Sequence, residues 1–283
     1  MRTTLHLVSA RDYLAYAGLF RERREEWATQ QLGALDADSD VDQLAERLAE
    51  LAAERPRTRP ELLALLGRPK LTLEDRAPWL FWYLLAAKAG LVSGPSSSVW
   101  RSHTSGGTFV PARSWLGADG ASGEAAAAHL VRRYLAAFGS ATRADVAQWS
   151  GLALRALDPG FALLRLSRLR DDLGRELLDL PRAPLPAADT HAPPRFLPRW
   201  DNLLLSHDDR RRVLPEEYRK VVIAKNGDVA RTFLIDGFVA GTWSVEQGRV
   251  RHEPFAPLPP AARAELDQEA SRLEAFLSSG TGA

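Results

Sequence analysis

The sequence predicts an α+β fold: repeated units of three helices closed by a β-hairpin, then a small antiparallel β-barrel and a C-terminal helix. Three observations carry this expectation. A short helix opened by a Thr-led turn and stopped by glycine occurs twice, at Thr58 to Gly67 and at Thr142 to Gly151. A Pro- and Ala-rich stretch, 181–194, then interrupts the chain and reads as a linker. Beyond it the apolar residues gather into β-favouring runs divided by the turn dipeptides Asn226-Gly227 and Asp236-Gly237.

At the N-terminus, Thr3 to Val8 alternates as a strand does. From Arg11 to Leu32, the residues Tyr13, Leu14, Ala17, Phe20 and Trp27 recur at helical spacing. A strand at Thr3 has nothing before it to pair with, so 1–36 reads as the remnant of a first unit whose earlier part is missing. Residues 37–117 form the next unit. Val41, Leu44, Leu48, Leu51 and Ala52 make a helical stripe; Thr58-Arg59-Pro60-Glu61 is a capping box with Pro in the first turn; a short helix from Leu62 to Leu66 stops at Gly67. Thr72 opens a helix bearing Trp79, Leu80, Trp82, Tyr83, Leu84 and Ala87, and Leu91 to Ser93 with Thr108 to Ala112 make a hairpin. Helix, short helix, helix, hairpin is the winged-helix order, built on a helix-turn-helix.

The pattern recurs over 121–180. Glu124 to Phe138 is a helix ended by Gly139, Thr142 to Asp145 starts a short one, and Asp158-Pro159 is expected to start a third as N-cap and first-turn proline. The strand signal after Gly174 is weak, leaving this second wing open. The last region, 195–283, is expected to hold strands at Arg195 to Leu205, Val221 to Ala224, Val229 to Ile235, Phe238 to Trp243 and Arg249 to Pro254, followed by a helix from Ala261 to Leu277.

Composition excludes several classes. The 283 residues have no run of about 18 apolar residues that would span a bilayer, and the first residues have no signal-peptide character. No membrane partner and a cytoplasmic location are therefore expected. With no cysteine there is neither a disulfide framework nor a thiolate metal site, and the six histidines never fall at ligand spacing; no metal and no cofactor is expected. The net charge of +1 does not by itself announce a nucleic-acid binder. The basic residues are nearly all arginine, with lysine only at positions 70, 88, 220 and 225. A high-GC genome accounts for much of that, although the arginine fork also suits phosphate.

Several segments resemble the AlkZ-like DNA glycosylases. Arg2-Thr3-Thr4-Leu5-His6-Leu7-Val8 is similar to the strand after that family's first helix-turn-helix. Arg199-Trp200-Asp201-Asn202-Leu203-Leu204-Leu205-Ser206-His207-Asp208-Asp209-Arg210 resembles its C-terminal signature. Thr142 to Leu152 resembles its internal helix-turn-helix, and Phe233 to Trp243 its barrel. The resemblance implies tandem winged helices and a β-barrel around double-stranded DNA, alkylated or crosslinked, with excision of alkylated bases or unhooking of crosslinks. It also implies a Gln-x-Gln motif that positions water. No Gln-x-Gln occurs in this sequence, and Gln30-Gln31 is adjacent rather than spaced. The expectation is a DNA-binding chain, inactive as written and monomeric, with no catalytic residue assigned. A non-catalytic DNA-binding regulator is the alternative.

The candidate DNA-binding residues are His6, Arg101, His103, Arg199, Asp201, His207, Arg210 and Arg211. His6 faces away from Leu5 and Leu7, toward a groove or solvent. Arg101 and His103, beside Trp100, lie in the expected wing, where arginine suits a minor groove or backbone; a bare surface loop is the alternative. Arg199 and Asp201 would share one face of a strand, for DNA or for an internal salt bridge. His207, Arg210 and Arg211 could reach phosphates, or the acidic residues of the same loop could cap turns and pair with Arg210 to Arg212. Trp79, Trp82, Trp149 and Tyr83 are expected in the core, and Arg132, Arg133, Arg165, Arg168 and Arg170 on solvated faces.

Overall fold

The computed structural model describes residues 6, 8–32, 41–67, 77–94, 107–117 and 123–279. The protein is α+β and divides into two compact units, Met1–Leu130 with Ala156–Leu163, and Val131–Arg155 with Leu164–Ala283.

In the first unit, α1 (Ala10–Leu32) starts from Ser9, whose hydroxyl accepts the Asp12 N–H at 3.1 Å while donating to the Asp12 carboxylate at 2.9 Å. α2 (Val41–Glu54) buries Ala45, Leu48, Leu51 and Ala52, the stripe expected from sequence. β1 (Arg57–Thr58) leads into α3 (Arg59–Leu65), where Thr58 and Glu61 form the full capping box. α4 (Ala77–Lys88) packs on α1 and α2 and buries Phe81, Trp82 and Leu85 in one core with Leu48, Leu51 and Leu62. β2 (Leu91–Ser93) and β3 (Thr108–Pro111) come next, then α5 (Ala112–Leu116). The sheet order is β1-β3-β2, antiparallel throughout, with Arg57 opposite Phe109 and Val92 opposite Val110. Trp79 departs from expectation: it is 51% exposed, while Trp82 is buried. Trp79 leans on Trp27 of α1, ring centroids 6.1 Å apart, instead of entering the core.

α6 (Gly123–Phe138) gives its first eight residues to the first unit and the rest to the second. α7 (Arg143–Ser150) has its own capping box, Thr142 with Asp145, and ends on Gly151 at φ 73°. α8 (Leu154–Ala162) begins four residues before the expected Asp158 and carries Pro159 inside. Helix-breaking chemistry is overridden by packing here. Leu157 and Phe161, one turn apart, are both buried, which outweighs the one backbone bond that Pro159 cannot make. Where the strand signal after Gly174 is weak in sequence, a strand pair forms: β4 (Ser167–Arg170) pairs with β5 (Glu176–Asp179), and Ala141 bridges Leu178.

The C-terminal region is a four-stranded antiparallel sheet, β6 (Arg195–Leu197), β7 (Thr232–Ile235), β8 (Phe238–Glu246) and β9 (Arg249–Pro254), in the order β6-β7-β8-β9. The expected closed barrel is not found: among the described residues β6 and β9 are edges and do not pair with each other. A helix, α10 (Pro260–Ser279), packs on both of these strands and covers them in place of closure. The strand expected at Val221 to Ala224 is instead a short helix, α9 (Arg219–Val222), with an isolated bridge between Ile223 and Val229. The apolar residues of that run still enter the core, where Val222 joins Leu197, Leu204, Leu214, Leu234 and Val239. Among the described residues no helix is long and apolar enough to cross a membrane.

Candidate nucleic-acid interface

Sequence predicts that the segment 199–212 begins as the continuation of a strand. It does not, because β6 stops at Leu197 and Pro198 offers no N–H to extend the ladder. The chain turns through Arg199 and Trp200, and Asp201 then caps a 3₁₀ turn, Asn202–Leu204, by accepting the Leu203 N–H at 2.8 Å. Arg199 and Asp201 therefore do not share a strand face. Arg199 pairs with Asp228 and lays its guanidinium over the Trp200 ring, 4.6 Å from the centroid.

The rest of the loop, from Ser206 to Arg212, is tied down from beneath. Tyr134, fully buried on α6, donates its hydroxyl to the Ser206 carbonyl at 2.7 Å. Asp145 divides its carboxylate: Oδ2 closes the capping box on Thr142, and Oδ1 accepts the Asp208 N–H at 2.9 Å. Arg212 donates to the Ser140 carbonyl at 2.8 Å. The ends of α6 and α7 thus hold the loop at three points, each a bond between residues more than 60 positions apart in sequence.

His207 faces inward. Its side chain is buried against the Tyr134 ring, with centroids 6.2 Å apart. Arg212 Nη1 approaches Nε2 at 3.2 Å, and a guanidinium can only donate, so Nε2 is the acceptor and the imidazole is neutral. Nδ1–H then donates to Ser206 Oγ at 2.9 Å, and that hydroxyl donates to the Leu203 carbonyl at 3.0 Å. Burial first, and the Arg212 charge second, push the imidazole below its ordinary value, against the opposing pull of Asp145, Asp209 and the Ser140 carbonyl.

Asp209 caps the 3₁₀ turn Arg210–Arg212 and receives Arg211 at 2.7 and 2.8 Å and Arg175 at 3.1 Å. Hydrogen bonds from Arg211 above all, with Arg175 adding to them, hold its carboxyl well below the usual carboxylate range. Of three consecutive arginines, two are thereby committed: Arg211 to Asp209, and Arg212 to Ser140 and His207. Arg210 is different. Its Nε is buried without a hydrogen-bond partner, and no ion pair reaches its guanidinium among the described residues. Burial, then the nearby charge of Arg219, press it below its ordinary value against the pull of Asp208; at neutral pH it remains a cation.

The other candidates are distributed elsewhere. His6 is exposed and outside any helix or strand, while the rest of the expected strand from Thr3, Val8 excepted, lies outside the described residues. Arg101 and His103 also lie outside them. Trp149 is buried, as expected, against Tyr134 and Phe138 at 5.3 and 5.7 Å. Sequence reasoning misses Tyr134, Asp145, Arg175 and Arg219 as parts of this site. The capping motif marks Asp145 as a helix start, but nothing in its spacing indicates that its second oxygen reaches Asp208. It misses as well a pair in the first unit, Asp12 with His129 at 2.7 Å, which ties α1 to α6. Among the described residues no group of three or more His, Cys, Asp or Glu side chains could hold a metal ion.

Comparison with known proteins agrees with this architecture. The family described as DNA glycosylase AlkZ-like matches residues 1–276. The structure of Streptomyces sahachiroi DNA glycosylase AlkZ is similar, with 25% sequence identity and a TM-score of 0.75 over 97% of this chain and 78% of that one. No curated protein matches the chain. The match across nearly the whole length, together with the shared architecture, means that this chain belongs to the AlkZ-like DNA glycosylase family.

Proposed function

We propose that this chain binds double-stranded DNA carrying alkylated bases or crosslinks, and that Arg210 contacts a backbone phosphate. Family membership supports the class of target. The observation that carries the reading is the unpaired Arg210, next to two arginines with protein partners. A half-buried guanidinium with no acceptor costs free energy, and a second cation beside it, Arg219, adds to the cost. An anion between the two relieves both. A phosphodiester supplies one, and arginine is its natural partner. Arg199 and Arg211 could contribute only by giving up Asp228 and Asp209. His207 and Asp201 hold the loop and do not touch DNA themselves. His6, Arg101 and His103 are additional proposed contacts.

Two winged helices fit the same reading. Supporting it are the three-stranded sheet β1-β3-β2, whose first strand lies between α2 and α3 and whose other two follow α4, and the β4-β5 pair with the Ala141 bridge to β5. A helix-turn-helix protein without catalysis would use the same surface, and the lack of Gln-x-Gln in the 283 residues favours binding over excision. The test is a paired assay on duplex DNA containing 7-methylguanine or a mustard crosslink. Binding is expected, with base release near the uncatalysed background. Robust excision by the 283-residue chain contradicts the inactive reading; no duplex binding at all contradicts the DNA reading.

A further inference from the structure

Among the described residues four non-glycines have positive φ: Arg182, Trp200, Asp236 and Gln247. Asp236 and Gln247 each precede a glycine in the two-residue turns joining β7 to β8 and β8 to β9, where the hairpin itself requires the left-handed conformation. Arg182 lies in the linker. Trp200 serves no hairpin. At φ 55° a bulky L-residue crowds its own backbone, so the surroundings must impose the conformation.

The conformation places the indole in solvent. Trp200 is 53% exposed, whereas Trp82 and Trp149 are 8%. Arg199 covers its ring at 4.6 Å and is itself anchored by Asp228. Asp201, the next residue, fixes the chain on the other side through its cap on Leu203. The surrounding segment 195–225 carries eight basic and five acidic residues, a net +3 against +1 for the whole chain. A rigid, exposed indole backed by an arginine within a basic segment suits a flat, electron-rich ring on a polyanion.

We propose that Trp200 is a stacking platform for an unstacked nucleobase, with Arg199 holding the indole in position. This rests on the DNA reading above. The test compares affinity for a fully paired duplex and for one with a single unpaired thymine, using the full 283-residue chain. The wild-type chain is expected to prefer the bulged duplex. Trp200→Ala and Trp200→Gly are expected to weaken binding to it by about 5- to 100-fold, the range one base–aromatic stack carries. Affinity for the paired duplex should stay unchanged, and Trp200→Phe should keep most of the preference. Trp200→Gly also separates binding from folding, because glycine adopts this φ without strain and its thermal stability should not fall below wild type. A wild-type chain with no preference for the bulge, or a Trp200→Gly chain that binds both duplexes as wild type does, overturns the proposal while leaving the DNA reading standing. Failure of the wild-type chain to bind either duplex overturns both.

Discussion

The short helices α3 and α7 open with the same device and put it to different use. In α3, Glu61 returns to the Thr58 N–H at 2.7 Å and pairs with Arg55 at 3.1 Å, all within seven residues and at the surface. In α7, the shorter Asp145 closes the same box, is itself buried, and has one carboxylate oxygen left for the Asp208 N–H. One cap only starts a helix; the other also fixes a distant loop. The helices after them differ too. α4 meets its neighbours through Phe81, Trp82 and Leu85, whereas α8 meets α6 through Gly160. A Cβ at Gly160 would lie 2.5 Å from the carbonyl carbon of Ala127, an approach that only glycine permits. A repeated local pattern therefore does not imply repeated packing.

Four substitutions probe this contrast. Gly160→Ala should destabilise most, by about 3 kcal/mol in denaturant unfolding, because backbone and not a flexible side chain opposes the new methyl. Asp145→Ala should cost about 2 kcal/mol, since it leaves the Thr142 and Asp208 N–H groups without their acceptor. Phe81→Leu, a repacking of the side-chain seam in the first unit, should cost about 1 kcal/mol. Glu61→Ala should cost least, its carboxylate being solvated. If the two acidic substitutions cost the same, the long-range tether contributes nothing.

Acid should separate the two units by pH window. His207 is neutral in the folded chain, and its value is held below the ordinary 6.5. As pH falls below 6.5 the unfolded chain binds a proton that the folded one refuses, so stability declines until the lowered folded value is reached. Glu61 acts further down: its carboxyl is lowered from 4.5 to about 2, so its smaller, solvent-screened contribution is present above 4.5 and is lost as pH falls toward 2. Unfolding free energies measured at about pH 7 and about pH 5.5, either side of the ordinary histidine value, should differ in wild type, and the difference should shrink in His207→Gln. An unchanged difference would show that His207 is not the titrating group.

Much of the scaffold is legible in the sequence because its signals are local. Thr58 with Glu61, Thr142 with Asp145, and Asp236-Gly237 act within four residues, and each forms as expected. Helical spacing alone assigns Trp82 and Trp149 to the core, where they lie. The departures have tertiary causes. Pro159 reads as a helix start, but the burial of Leu157 and Phe161 carries the helix past it. Arg195 to Leu205 reads as one strand, but Asp201 offers the backbone a cap, and the ladder ends at Leu197. Val221 to Ala224 carries a strand's residues into a helical turn, since either conformation can bury Val222. In the candidate site, sequence marks Arg210 and Arg211 equally. Only the placement of Asp209 shows which of the two has a partner.

That difference is read by the salt dependence of duplex binding in wild type, Arg210→Ala and Arg211→Ala. Each phosphate neutralised contributes about 0.9 to the slope of log K against log salt. Arg210→Ala is expected to lower the slope by about one such contact and to weaken binding alike on all sequences, while Arg211→Ala leaves the slope at the wild-type value. Equal losses in the two variants, or a slope unaffected by removing Arg210, would contradict a phosphate contact at Arg210.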